Sequence, residues 1–211
     1  MISLRKVLAA TAILIFAAAT ADAATVHRTY SYYSITGKTA ADLDKGLARG
    51  GPLLKSTGNH HPGAAQIRFD AKARYRSDGR ACRVTGVYVN VYAKVMLPRW
   101  KQRRKAEPQL ALVWDTLSQD IKRHEESHII IARTHASEIE RAVRALPSRP
   151  DCALLRADIN KVTEQLMKAH DIAQKKFDYV ETLNFEKRFE RLLTYRLERM
   201  ISEQRTVSSK Q

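Results

Sequence analysis

The chain has 211 residues, with 37 Lys or Arg against 22 Asp or Glu and a formal net charge of +15. That length holds one domain with a proper core, or at most two small ones. The basic excess attracts anionic surfaces, but no nucleic-acid fold signature accompanies it, so specific nucleic-acid recognition is not expected.

Residues 1–23 read MISLRKVLAATAILIFAAATADA. Arg5 and Lys6 precede an apolar run from Val7 to Ala19, and Ala21-Asp22-Ala23 forms a small-x-small cleavage site. This is the pattern of a secretory signal peptide cut near Ala23. The apolar run is shorter than the roughly 20 residues a membrane span needs. No later segment is apolar enough to span, so the mature chain is expected to be periplasmic or secreted. Removal of Arg5, Lys6 and Asp22 with the leader leaves a charge of +14. Anionic envelope surfaces are therefore candidate partners, although much of the charge reads as an ordinary solvated face.

The β-rich part is expected over residues 24–105. HRTYSYYSIT (27–36) has strand composition. Thr39-Ala40-Ala41-Asp42 opens a short helix, closed by Gly50-Gly51-Pro52. After the loop STGNHHPG (56–63), Ile67, Phe69, Ala71, Ala73 and Tyr75 alternate with polar residues. Val87, Val89, Val91, Ala93 and Val95 do the same, and Ser77-Asp78-Gly79-Arg80 between them is a hairpin turn signal. Cys82 and Cys152 are an even count in an oxidising compartment, which predicts one disulfide. Its loop of about 70 residues would stabilise the fold by on the order of 4 kcal/mol.

The helical part is expected over residues 106–206. Leu110, Val113, Trp114, Leu117, Ile121, Ile131, Ile139, Val143 and Leu146 mark one long helix. Pro147-Ser148-Arg149-Pro150 ends it. From Cys152 onward no Gly or Pro interrupts a second helical pattern, either one very long helix or two joined by a kink.

The chemistry concentrates in RHEESHIIIARTH (123–135). His124 and His128 stand one turn apart on the inward face of the first long helix, so their rings can converge on one ion. Zn²⁺ takes neutral imidazole nitrogens in tetrahedral geometry. Glu125 falls beside that pair without joining it, in position to act as the general base toward a metal-activated water. His135 lies roughly 16 Å from His124 along a straight helix and cannot complete the same site. Candidates for a third ligand are His170, Asp171, Asp178 and Glu181 on the second helix, with His60 and His61 as loop alternatives.

The order of YYSITGKTAADLDKGL (32–47), VMLPRW (95–100), Trp114, HEESH (124–128) and KKFDYVET (175–182) resembles a bacterial family, Domain of Unknown Function 922, regarded as secreted zinc-dependent proteases. Cys82 and Cys152 match its cysteine pair. The resemblance implies a zincin-like metallopeptidase holding Zn²⁺ through His124 and His128, with Glu125 as base and a peptide or protein as substrate. The family's Thr-x-His-Gly-like element after the aromatic-Asp pair is missing here, which leaves Glu181 as the expected third ligand. Zincins bind extended peptides along an edge strand, and VYVNVYAKV (87–95) is the strand expected in that role.

Taken together, the expectation is an α+β domain over residues 24–211. A small antiparallel sheet precedes two long helices, and the domain hydrolyses peptide bonds. Two rival readings accompany it. One is a non-catalytic envelope protein with structural metal or none, favoured by the missing histidine. The other is a basic module that binds anionic envelope components.

Overall fold

The computed structural model describes residues 24–54 and 58–208; the leader expected over residues 1–23 lies outside them. Three strands form the main sheet in the order β1 (Thr25–Ile35), β5 (Cys82–Trp100), β4 (Ala64–Ser77). Between β1 and β4 come helix α1 (Ala40–Gly50) and a two-stranded hairpin of β2 (Leu53–Leu54) and β3 (Asn59–His60). A 3₁₀ turn at Arg103–Lys105 leads into α2 (Pro108–Arg144), and α3 (Cys152–Ser208) follows. The second long helix is thus one uninterrupted element of 57 residues.

The α+β class is as expected, but the sheet is mixed rather than antiparallel throughout. β4 pairs antiparallel with β5 from Ala64↔Met96 to Ser77↔Cys82. β1 pairs parallel with β5 from Thr25↔Asn90 to Ile35↔Trp100. The reason is the path of the chain. After Ile35 it passes through α1 and the small hairpin and starts β4 at the same end of the sheet, so β4 runs back against β1. The tight turn then reverses it once more into β5, which must run with β1.

Local chemistry explains the boundaries. Thr39 caps α1 with a reciprocal box: Asp42 N–H donates to Thr39 Oγ1 at 3.2 Å, and Thr39 N–H to Asp42 Oδ2 at 3.1 Å. In the β4–β5 turn, Asp78 Oδ1 accepts the N–H groups of Arg80 and Ala81, and Gly79 takes the left-handed φ of +87° that the turn requires.

The odd residues of β5, Val87 to Leu97, point at α2 and are buried. Ala132 and Ala136 of α2 have no exposed surface and meet Val89, Val91, Ile139 and Val143 in the main core cluster. A second cluster joins Trp100 and Trp114 to Ile35, Leu43 and Leu47, which docks α1 on the same end.

β5 is longer than β1, so its first half has no strand on that side. Side chains from α2 serve instead. Glu140 Oε1 accepts the Val89 N–H at 2.6 Å, and Arg144 donates to the Val87 carbonyl at 3.1 Å.

Cys82 and Cys152 form a disulfide that ties the start of β5 to the start of α3. Two backbone hydrogen bonds between Cys82 and Arg149, at 2.7 and 2.9 Å, hold the α2–α3 turn in the same place. No helix among the described residues is long and apolar enough to cross a membrane. The disulfide fits an extracellular or periplasmic location.

Replacing Cys82 and Cys152 together by Ser should lower stability by about 2–5 kcal/mol, measured by urea unfolding at neutral pH, and reductant should not destabilise the double variant further.

Candidate metal centre

α2 touches the sheet with one face and α3 with another. Ile121, Glu125, Ile129, Ala132, Ala136, Ile139 and Val143 are the buried, sheet-facing residues. The histidines stand beside that stripe, toward α3, and not on it as the sequence pattern suggested. Small alanines carry the closest helix–sheet contact, and the apolar count in the sequence underweights them.

Among the described residues, His124, His128 and Asp178 form the group of His, Cys, Asp or Glu side chains whose donor atoms all lie within 4.8 Å of one another. His128 Nε2 is 3.1 Å from His124 Nε2 and 3.0 Å from Asp178 Oδ1, and His124 Nε2 is 3.4 Å from the same oxygen. Tetrahedral ligands at 2.0–2.1 Å from Zn²⁺ sit about 3.3 Å apart, so the donor set fits such an ion with a position left open. Phe177, one residue before Asp178, stacks on His124 at 5.0 Å and meets His128 edge-on at 5.1 Å. The Asp178 side chain is half exposed whereas that of His128 is mostly buried, so the group opens to solvent on the α3 side. Burial, aided by the neighbouring His128, holds the His124 imidazole below its ordinary pKa and favours the neutral form a metal needs.

Glu181 does not join this group. It pairs with Arg123 and Arg188, and it faces the other nitrogen of His124, Nδ1, at 3.6 Å. Arg123 and Arg188 also clasp the buried Asp120, whose carboxylate accepts from Arg123 Nε at 2.8 Å and from Arg188 at 3.2 Å. Burial alone would raise the pKa of Asp120 and of Glu181, but the two guanidinium groups outweigh it and hold both below the ordinary range. Asp178 is the third donor instead because it lies one helical turn nearer the His128 end of α3.

The remaining candidates lie elsewhere. His60 donates from Nδ1 to the Gly51 carbonyl at 2.5 Å, inside the small hairpin. His61 donates its backbone N–H to the Pro52 carbonyl at 3.0 Å. His170 is buried edge-on against Phe69 and sits two turns before Asp178, beside Asp171. His135 has Glu138 at 3.0 Å and the His170 ring at 5.6 Å.

Glu125 is 5% exposed and sits against the start of β4. A Cβ on Gly63 would fall 2.8 Å from Glu125 Oε1 and from Ile121 Cγ2, so only glycine lets the chain pass this close. Burial is the main cause that pushes the Glu125 carboxyl up to about 7; Asp178 adds to it, and the Ala65 backbone N–H opposes it. β4 is therefore the edge strand beside Glu125. β5, expected as the substrate-pairing edge, is flanked on both sides and has no free ladder over residues 90–96.

A long helix presenting a histidine pair and a buried glutamate, with an aspartate supplied by a second helix, defines an α+β protein with a candidate metal centre. The family model described as bacterial protein of unknown function (DUF922) matches residues 30–185, and the chain belongs to that family. No curated protein and no solved structure matches it.

Because the folded pKa of Glu125 is raised, the folded protein binds the proton more tightly than the unfolded chain does. Its contribution to stability is present below the unfolded value of about 4.5 and is lost as pH rises through about 7. In metal-free protein, Glu125→Gln should remove on the order of 3 kcal/mol of pH-dependent stability across that window, read from urea unfolding at several pH values.

Proposed function

We propose that this protein is a zinc-dependent peptidase held outside the cytoplasm by export through the leader read over residues 1–23. The observation that carries the reading is the convergence of His124, His128 and Asp178 beside a buried Glu125. In this reading Asp178, and not Glu181, is the third ligand, and the overall likeness to zincins rests on the helix-borne HExxH pattern alone.

When bound, Zn²⁺ supplies Lewis-acid polarisation of the scissile carbonyl and makes water a competent nucleophile at neutral pH. The protein supplies the rest. His124 and His128 offer imidazole nitrogens from a helix locked to the sheet. Phe177 sets their ring planes. Glu125 takes the proton from the attacking water and delivers it to the departing amine nitrogen. A carboxyl poised near neutral pH suits both transfers. Gly63 leaves the space that keeps Glu125 in its seat. The free side of β4 is the edge along which an extended peptide would lie.

The test uses the mature chain, residues 24–211, with elemental analysis and a peptide-library screen. One zinc per chain is expected in the wild type and in Glu125→Gln, with turnover lower by about 10²–10⁴-fold in the latter. His124→Ala and Asp178→Ala should lose the zinc, while Glu181→Gln should keep it. Zinc without turnover in the wild type would favour a non-catalytic envelope protein.

A second reading, binding to anionic envelope surfaces, is favoured by the sheet face turned away from α2. Arg68, Lys72, Arg74 and Lys94 are exposed there, with Asp70 among them. Arg68 and Arg74 are held over the rings of Tyr92 and Tyr88. If that face binds, His124→Ala should associate with anionic phospholipid vesicles, salt should weaken the association, and Arg68→Ala with Arg74→Ala should weaken it further in co-sedimentation.

A further inference from the structure

Gln174 belongs to neither the donor group nor the apolar core, yet it lies half-buried in the seam between α2 and α3, between His128 and the buried His170. Its amide makes three contacts. Nε2 lies 3.1 Å from the His128 carbonyl oxygen and 2.8 Å from His170 Nε2, and Oε1 lies 2.5 Å from His128 Nδ1.

These contacts fix the hydrogens from Asp171 to His128 Nδ1. A carbonyl oxygen only accepts, so the atom facing it is the amide NH₂. The amide oxygen therefore faces His128 Nδ1, and that nitrogen must carry the hydrogen. With Nδ1 carrying the hydrogen, Nε2 is the nitrogen left to a metal. This is the nitrogen 3.0 Å from Asp178 Oδ1 and 3.1 Å from His124 Nε2. The second amide N–H donates to His170 Nε2. His170 then carries its hydrogen on Nδ1, which donates to Asp171 Oδ1 at 3.1 Å. The Asp171 carboxylate can only accept, so the chain is anchored independently at both ends, and the two anchors demand the same arrangement. The opposite tautomer of His128 would set two lone pairs against each other at Nδ1; with no metal bound, Asp178 Oδ1 at 3.0 Å is the acceptor that draws a hydrogen to Nε2, so the amide and the carboxylate compete for the ring.

We propose that Gln174 is a positioning residue that locks His128 as its Nδ1–H tautomer and aims Nε2 into the metal centre, with His170 and Asp171 setting the direction of the amide. This rests on the metal reading above, but the lock is a property of the metal-free protein and can be read without zinc. The consequence for a metal is that His128 arrives with its ring orientation and its lone pair already set.

The experiment compares wild type, Gln174→Met and Gln174→Glu. In metal-free protein, nitrogen NMR of the histidine rings should show His128 protonated on Nδ1 in the wild type. The Met variant, which keeps the volume and removes the acceptor, should release that hydrogen toward Nε2, where Asp178 Oδ1 at 3.0 Å accepts it. The Glu variant should restore Nδ1–H, because a carboxylate accepts the same hydrogen. Zinc affinity, measured by competition with a chelating dye, should fall about 10–100-fold in the Met variant and recover in the Glu variant. Both variants lose the amide's donors to the His128 carbonyl and to His170, so their unfolding midpoints should fall together, and the difference in zinc affinity between Met and Glu separates positioning from folding. A wild-type His128 without a hydrogen on Nδ1, or a Met variant that binds zinc as tightly as wild type, would overturn the assignment. A wild type that binds no zinc but shows the lock, released by Met, would overturn the metal reading and leave the lock standing.

Discussion

The close approach of α2 to β5 is the constraint on which the rest of the molecule depends. Ala132 and Ala136 have no exposed surface, and they let the helix axis come down on Val89 and Val91. A larger residue at either position would lift the helix from the sheet. With the helix seated there, its rotation is no longer free. Glu125 must face the sheet, where burial dominates its chemistry, and His124 and His128 must face the other way, toward α3. Two adjacent residues thus acquire opposite surroundings from a single packing contact.

α3 is the second wall: the disulfide fixes its start, Ile159, Val162, Leu166 and Met167 pack on the main core, and beside the histidines charge sets the fine register. Asp120, Arg123, Glu181 and Arg188 form a mostly enclosed set of alternating charges between the helices, next to His124. Such a network contributes little net stability, because taking each ion out of water is costly. Its value is in register. If α3 slid by one turn, each carboxylate would lose its guanidinium, and Asp178 and Gln174 would leave the histidines. Salt-bridge register, tautomer and donor geometry are therefore settled together along one helix–helix seam. The family match ends at Phe185, inside this seam, and Arg188 lies just beyond it.

Much of this was legible in the sequence, for physical reasons. Strand alternation, the Thr39 cap and the Asp78-Gly79 turn act locally, so their boundaries can be read from neighbouring residues. The long helices announced themselves by periodicity and by the lack of Gly and Pro after Cys152. The pairing direction of β1 was not legible, because it depends on which end of the sheet the chain occupies after α1. The central place of β5 escaped for the same reason. HExxH marked the stretch of α2 that supplies two of the converging donors, but the place of Asp178 rather than Glu181 among them hung on two arginines that take Glu181 away from the group. No spacing rule reports that competition. Gly63 and Gln174 left no signal at all, since each matters only through a partner more than 40 residues distant.

The polar closure of β5 by Glu140 and Arg144 has a further consequence for how the molecule behaves in company. A half-strand of unpaired amides beside a valine-rich core is the kind of template on which other chains add and aggregates grow. Here the Val89 N–H and the Val87 carbonyl are already answered by a helix of the same molecule, in the buried space a foreign strand would have to enter. Colloidal solubility is thereby built into the helix that carries the histidines. Partial detachment of α2 would expose the sticky edge and separate the histidines from Asp178 in one event, so loss of the donor geometry and the onset of aggregation should share one transition.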